Sequence, residues 1–125
     1  MNIDLIVFSP THTGRTIAEN VAAGFASGTD TLRYIDLTLP GANAERTVGD
    51  VAVFAAPVYG GRVAETALER FADIRAGEPG RTPAILTVVY GNRDYEDALI
   101  ELRDMAVRQG FVPIAAGAFI GEHSY

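Results

Sequence analysis

Hydroxyls and turn residues crowd into one stretch, Ser9–Thr16, which reads SPTHTGRT and carries Ser9, Thr11, Thr13 and Thr16. It follows an apolar run and precedes a helical pattern. Backbone N–H groups at a helix start, with the positive end of the macrodipole, suit an anion. Neutral hydroxyls add donors, and Gly14 admits close backbone approach. The chemistry this donor set fits is the grip of a phosphate monoester. The plainer alternative is an N-cap at Thr13, which needs one hydroxyl rather than four. His12 is either a charge for the same anion or a solvent-facing spacer, and Arg15 faces either the phosphate or solvent.

Two more stretches hold residues suited to a flat ring. PVYGGRV supplies Pro57, Val58, Tyr59, Gly60 and Gly61. There proline ends an apolar run, two glycines turn the chain, and a tyrosine sits at the tip. YGNRDYED supplies Gly91 and Asn92 as a turn signal, followed by Arg93 and Tyr95. Tyrosine rings offer offset stacking worth about 0.5–1.5 kcal/mol beyond area burial. Tyr59 is otherwise a surface residue on a strand-to-helix turn, and Tyr95 otherwise opens the apolar stripe of a helix. If the three stretches converge, they suit a planar aromatic ligand with a phosphate tail.

Rival chemistries lack their residues. No G-x-x-x-x-G-K-[ST] and no G-x-G-x-x-G occurs, so the standard nucleotide and dinucleotide fingerprints are missing. With no cysteine, there is no thiolate nucleophile, disulfide or cysteine-held cluster within the sequence. A phosphoacceptor of the receiver type needs acids after the first apolar run, where Phe8 and Ser9 stand. Two histidines without nearby companions make a structural zinc site a poor reading.

The elements that must position these loops alternate in type. Apolar runs at Ile3–Phe8, Thr31–Leu37, Val51–Ala56, Ala84–Tyr90 and Phe111–Ile120 read as five strands. Helical patterns occupy Gly14–Ser27 (Ile17, Val21, Phe25), Ala64–Arg75 (Leu68, Phe71, Ala72) and Asp94–Gln109 (Tyr95, Ala98, Leu99, Leu102, Met105). Leu39–Asp50 reads as a loop or one helical turn, and Gly77–Thr82 as a turn. Strands alternating with helices predict a parallel sheet covered by helices. The first, third and fourth strands are almost continuously apolar, as strands buried on both faces are. The second strand alternates, and the fifth holds Pro113, which favours an edge. The expected architecture is therefore a doubly wound α/β domain, a five-stranded parallel sheet in the order 2-1-3-4-5. Its ligand crevice lies beyond the carboxyl ends of strands one, three and four.

On the stretches FSPTHTGRTIA, IDLT, PVYGGRV, VVYGNRDYEDAL and GAFIGEHSY, the chain resembles flavodoxin-like FMN-binding domains over nearly its whole length. It is most similar to the flavodoxin-like half of proteins that fuse this domain to a C-terminal ferredoxin. The resemblance implies that Ser9, Thr11, His12, Thr13, Gly14, Arg15 and Thr16 surround the FMN phosphate. It implies that Pro57, Val58, Tyr59, Gly60 and Gly61 frame one side of the flavin ring, and that Gly91, Asn92, Arg93 and Tyr95 hold the pyrimidine edge and stack a ring. Flavodoxins often carry a tryptophan in the second loop, and this chain has none. Arg93 stands where acids are more usual, and a cation at the ring edge would raise the potential. Flavodoxin-like domains end with a helix after the fifth strand, and this sequence stops at GEHSY. The expectation is a single domain over residues 1–125 that lacks its last helix and any ferredoxin domain.

Composition sets the remaining bounds. The 125 residues carry a net charge of −6, and 48% are hydrophobic. An acidic chain is a poor nucleic-acid binder, because that affinity rests on neutralising phosphates. No apolar run approaches the roughly 20 residues of a membrane span, and no signal peptide is evident, so the expected location is the cytoplasm. The function expected from the resemblance is electron transfer between FMN and a redox partner such as a ferredoxin, with no catalytic acid, base or nucleophile. The alternatives are an FMN-dependent quinone-type reductase, and a flavin-free interaction module. A homodimer through the sheet face that a last helix would cover is a further expectation.

Overall fold

A computed structural model describes residues 1–10, 12–39, 46–59, 62–91 and 96–121. The central sheet is built from β1 (Asn2–Val7), β2 (Thr31–Asp36), β4 (Val51–Tyr59), β7 (Pro83–Tyr90) and β8 (Val112–Ile120). They lie in the order β2-β1-β4-β7-β8, all parallel. This is the order expected from the apolar patterning of the runs. β1, β4 and β7 are central, and their inward residues come from both faces, so nearly every position is apolar. β8 takes the edge, and the irregularity that Pro113 brings leaves Ile114 unpaired and 61% exposed, between the pairs Pro113–Ala84 and Ala115–Ile85.

Two apolar clusters cover the two faces. On one face, helix α1 (Thr13–Ala23) packs on Ile3, Leu5 and Val7 of β1 and on Val51, Val53 and Ala55 of β4. It docks through Gly14, Ala18 and Ala22, every fourth residue on one face. These small side chains bring the helix close to the sheet. Ile17 and Val21, the expected contact stripe, sit half-buried on its flank, and Phe25 lies beyond the helix end and is 38% exposed. The other face holds the larger core, in which Phe54 meets Phe71 and Phe111 edge-on at 5.5 and 5.3 Å between ring centres. Helices α2 (Glu65–Phe71) and α3 (Glu96–Arg108) cover it. On α3 the expected stripe is seen at Ala98, Leu102 and Met105, with Leu99 partly buried. No helix follows β8 among the described residues.

Three short strands depart from the expected pattern. Helix α2 stops at Phe71 rather than Arg75, and Ala67 takes the buried position expected of Ala72, which is exposed. The buried Gln109 side chain donates to the carbonyls of Phe71 (2.8 Å) and Ile74 (2.5 Å), satisfying acceptors at the helix end. The chain then extends as β6 (Ile74–Ala76) and pairs in parallel with β3 (Arg46–Val48), inside the stretch expected to be a loop. Gly110, at φ 94, admits the tight turn there, since a Cβ would sit 3.2 Å from that of Ala76.

Pro57 does not end β4. Phe8 N donates to Ala55 O, and Ala64 N donates to Pro57 O, so Pro57 faces the side on which β1 has already finished. Its missing N–H therefore breaks no ladder bond. The strand continues to Tyr59 and folds back as β5 (Arg62–Val63), pairing Val58 with Val63 and Tyr59 with Arg62.

Candidate functional site

The carboxyl ends of β1, β4 and β7 open into one cavity of about 230 Å³. Its walls are Phe8, Ser9, Pro10 and Gly14 after β1, Pro57, Val58 and Tyr59 on β4, Val89, Tyr90 and Gly91 after β7, and Gly121 after β8. A doubly wound sheet places its ligand crevice at this switch point. Two tyrosines are among the lining residues. Tyr59 is 60% exposed at the rim, and Tyr90 is half-buried. Gly121 donates its N–H to Tyr90 O at 2.8 Å. A Cβ at Gly121 would lie 2.9 Å from Val89 Cγ1, so this wall can be that thin only with glycine.

Ser9 organises the loop after β1. It is 8% exposed and bonded on three sides. Its N–H donates to Thr38 Oγ1 (2.9 Å), its carbonyl accepts from His12 N (3.2 Å), and its Oγ accepts from Arg15 N (3.2 Å). That last bond satisfies a donor in the first helical turn that an N-cap would normally take. The N-cap position falls on His12, not Thr13, and the His12 side chain makes no capping bond. His12 holds φ 64, ψ −9, a left-handed conformation that a non-glycine residue adopts at some cost. The first turn carries no acidic residue, so the amide end of the helix meets no repelling charge from its own side chains.

The expected site residues divide into three groups. Ser9, Gly14, Pro57, Val58, Tyr59 and Gly91 line the cavity. His12, Thr13, Arg15 and Thr16 stand beside it on the start of α1. The Arg15 guanidinium turns toward β2, 4.7 Å from the centre of the Tyr34 ring and 3.8 Å from Glu19. Tyr34 completes that cluster by donating to Glu19 at 3.1 Å, and partial burial followed by this bond raises the pKa of its hydroxyl. Thr16 Oγ1 donates back to His12 O at 3.2 Å, and His12 is exposed. Thr11, Gly60, Gly61, Asn92, Arg93 and Tyr95 lie outside the described residues. Phe8, Pro10, Val89, Tyr90 and Gly121 are wall residues that motif reading does not single out. Their signal is positional, since each lies at the end of a strand or within three residues after it at the crevice edge.

A second groove, of about 550 Å³, lies on the far side of Tyr59. Arg62 and Glu101 meet there at 2.6 Å, and Val63 N donates to the same carboxylate at 3.1 Å. The Arg62 hydrogen bond, aided by the Val63 N–H, holds the Glu101 carboxyl below its ordinary pKa.

The class these features define is a flavodoxin-like α/β domain with one crevice at its topological switch point. Solved structures share the fold, two of them over nearly the whole of this chain. One is a flavodoxin from the domain Archaea, with a TM-score of 0.63 and 12% identity, covering 98% of this chain and 85% of that one. The other is a flavoprotein from Lactobacillus acidophilus NCFM in complex with FMN, with a TM-score of 0.58 and 11% identity, covering 94% of this chain and 91% of that one. No protein-family model and no curated protein matches the sequence. None of the described helices is long and apolar enough to cross a membrane.

Proposed function

We propose that the chain binds FMN in the cavity at the ends of β1, β4 and β7 and carries electrons between it and a redox partner. The observation that carries this reading is the convergence on one crevice of two tyrosines, thin glycine walls and the amide end of α1. The residues fit such a ligand. The cavity is smaller than the roughly 300–1,000 Å³ of whole-ligand pockets. It therefore suits the flat ring system, with the phosphate over the adjoining start of α1, where Thr13 and the loop amides stand. Bound there, FMN supplies the electron chemistry, and the chain supplies binding and sets the potential. Likeness of fold to an FMN-bound flavoprotein supports the same ligand. The proposed partner is a ferredoxin, in the cytoplasm, and what supports it is the resemblance of the sequence to flavodoxin–ferredoxin fusions alone.

A quinone-type reductase is the second reading, favoured by the groove beyond Tyr59, where a second substrate could approach the same ring. In that reading we propose a homodimer through the α1 face of the sheet, where Phe119 is exposed among the described residues. NADH-dependent turnover of a quinone separates it from a simple carrier.

The test is titration of the protein with FMN and with riboflavin, following flavin fluorescence. The expected result is quenching by both, with FMN bound at least about tenfold more tightly through charge-assisted phosphate contacts. Equal affinity for the two flavins would remove the phosphate assignment, and no quenching by either would refute the reading.

A further inference from the structure

We propose that Arg70, on α2 and outside the cavity, is a positioning residue that holds the anion-facing loop in place, acting on Ser9 through Thr38 and on Phe8 through its ring. The consequence for ligand choice rests on the reading of the cavity as an FMN site; the positioning itself does not.

Arg70 Nη1 donates to three successive carbonyls, those of Leu37 (2.6 Å), Thr38 (3.0 Å) and Leu39 (2.6 Å). A terminal guanidinium nitrogen has only two N–H bonds, so at least one is shared between carbonyls. Three carbonyl oxygens aimed at one point repel one another unless a donor or cation stands there. The curl of the chain after β2 is therefore set by Arg70. Leu37 is buried and anchors the start of this curl, and Thr38 N donates to Asp36 Oδ1 at 3.0 Å. The curl delivers Thr38 Oγ1 to the Ser9 N–H at 2.9 Å. Ser9 passes the constraint on through its bonds to His12 N and Arg15 N, the start of α1.

A second route runs through Phe8. The Arg70 guanidinium carbon lies 5.7 Å from the centre of that ring, within cation–π reach. Phe8 is a wall of the cavity, so Arg70 backs one wall residue directly and its neighbour Ser9 through Thr38. Arg33 and Arg62 each face a carboxylate. Among the described residues, none of the ion pairs involves Arg70. Its donors serve the loop.

The experiment compares Arg70→Met, which keeps the length and loses the donors, with Arg70→Lys, whose ammonium can still serve several carbonyls. Two readouts are taken: amide hydrogen exchange of the ligand-free protein, and the ratio of riboflavin to FMN dissociation constants. In Arg70→Met the Ser9 and Arg15 amides should exchange faster while those of α3 keep their protection. The ratio should fall about fivefold, the equivalent of one hydrogen bond. Arg70→Lys should return both readouts to near the parent values. Thr38→Val, with Arg70 intact, should lower the ratio by a similar factor, and it carries the test if Arg70→Met does not fold. Unchanged exchange at Ser9 and Arg15 overturns the positioning role whether or not flavin binds. Loss of stability with an unchanged ratio assigns Arg70 a purely structural role and also overturns the proposal. Failure of the parent protein to bind either flavin would sink the FMN reading alone, and the exchange data would still decide on Arg70.

Discussion

Gly14→Ala sets two effects of similar size against each other. In a helix interior the substitution gains up to about 1 kcal/mol from propensity. Gly14 is the second residue of α1, in the frayed first turn, so only part of that gain applies. Against it, the new Cβ would stand 3.3 Å from Ser9 Oγ, 3.5 Å from Ser9 Cβ and 3.8 Å from Ala55 Cβ. Ser9 is bonded on three sides and has little room to yield, and its Oγ bond to Arg15 N is already long at 3.2 Å. Moving that oxygen weakens the bond, and leaving a partly buried donor unpaired costs about 1–3 kcal/mol. The cost should exceed the gain, for a net loss of about 1 kcal/mol. Urea unfolding measures it as a lower midpoint with an unchanged slope. In a Ser9→Ala background the overlap with Oγ is absent, so Gly14→Ala should cost less there, and the double-mutant cycle should show coupling. A stabilised Gly14→Ala, or strict additivity with Ser9→Ala, would refute the claim that Ser9 and Gly14 are mutually fitted.

Phe54→Ala removes the ring that joins Phe71 and Phe111, both met edge-on, and should destabilise by about 3–5 kcal/mol in the same assay. Arg33→Ala leaves the buried Asp4 carboxylate without the guanidinium that meets it at 3.0 and 2.6 Å. Breaking a fully buried pair costs about 3–5 kcal/mol, but Arg33 is half-exposed, so about 2 kcal/mol is expected, with a smaller loss if Asp4→Asn is added. Glu101 has a folded-state pKa below its unfolded value, so its contribution is present above about pH 4.3 and is lost as pH falls through the folded pKa. Glu101→Gln should therefore lower stability at neutral pH by less than about 1 kcal/mol, because Arg62 is exposed, and should flatten the acid limb of the stability profile. An acid limb as steep in the variant as in the parent would exclude this carboxylate as a contributor.

The sheet order was legible because burial on both faces writes itself into sequence. β1, β4 and β7 read as continuous apolar runs, and the edge position of β8 follows from Pro113. The short strands were not legible, because three residues such as Arg46–Val48 are too few to show a period. The place of β3 and β6 depends on Gln109 and Gly77, distant in sequence from β3, which satisfy the ends of α2 and β3. The contact stripe of α1 misleads for a related reason. Periodicity of large apolar residues picks Ile17, Val21 and Phe25, whereas close docking selects the small ones. The hydroxyl cluster divides in the same way. Of the cluster, Ser9 lines the crevice and Thr13 and Thr16 do not, and this division of labour was not readable from sequence. Ser9 Oγ accepts an amide of the helix start, and Thr16 Oγ1 bonds the carbonyl of its own helix. At least two of the four hydroxyls are therefore engaged in building the loop and the helix start. In the proposed phosphate site at this corner the donors are amides that these hydroxyls help hold in place, and substitutions at Ser9 and Thr38 should shift phosphate preference more than a count of ligand contacts would suggest.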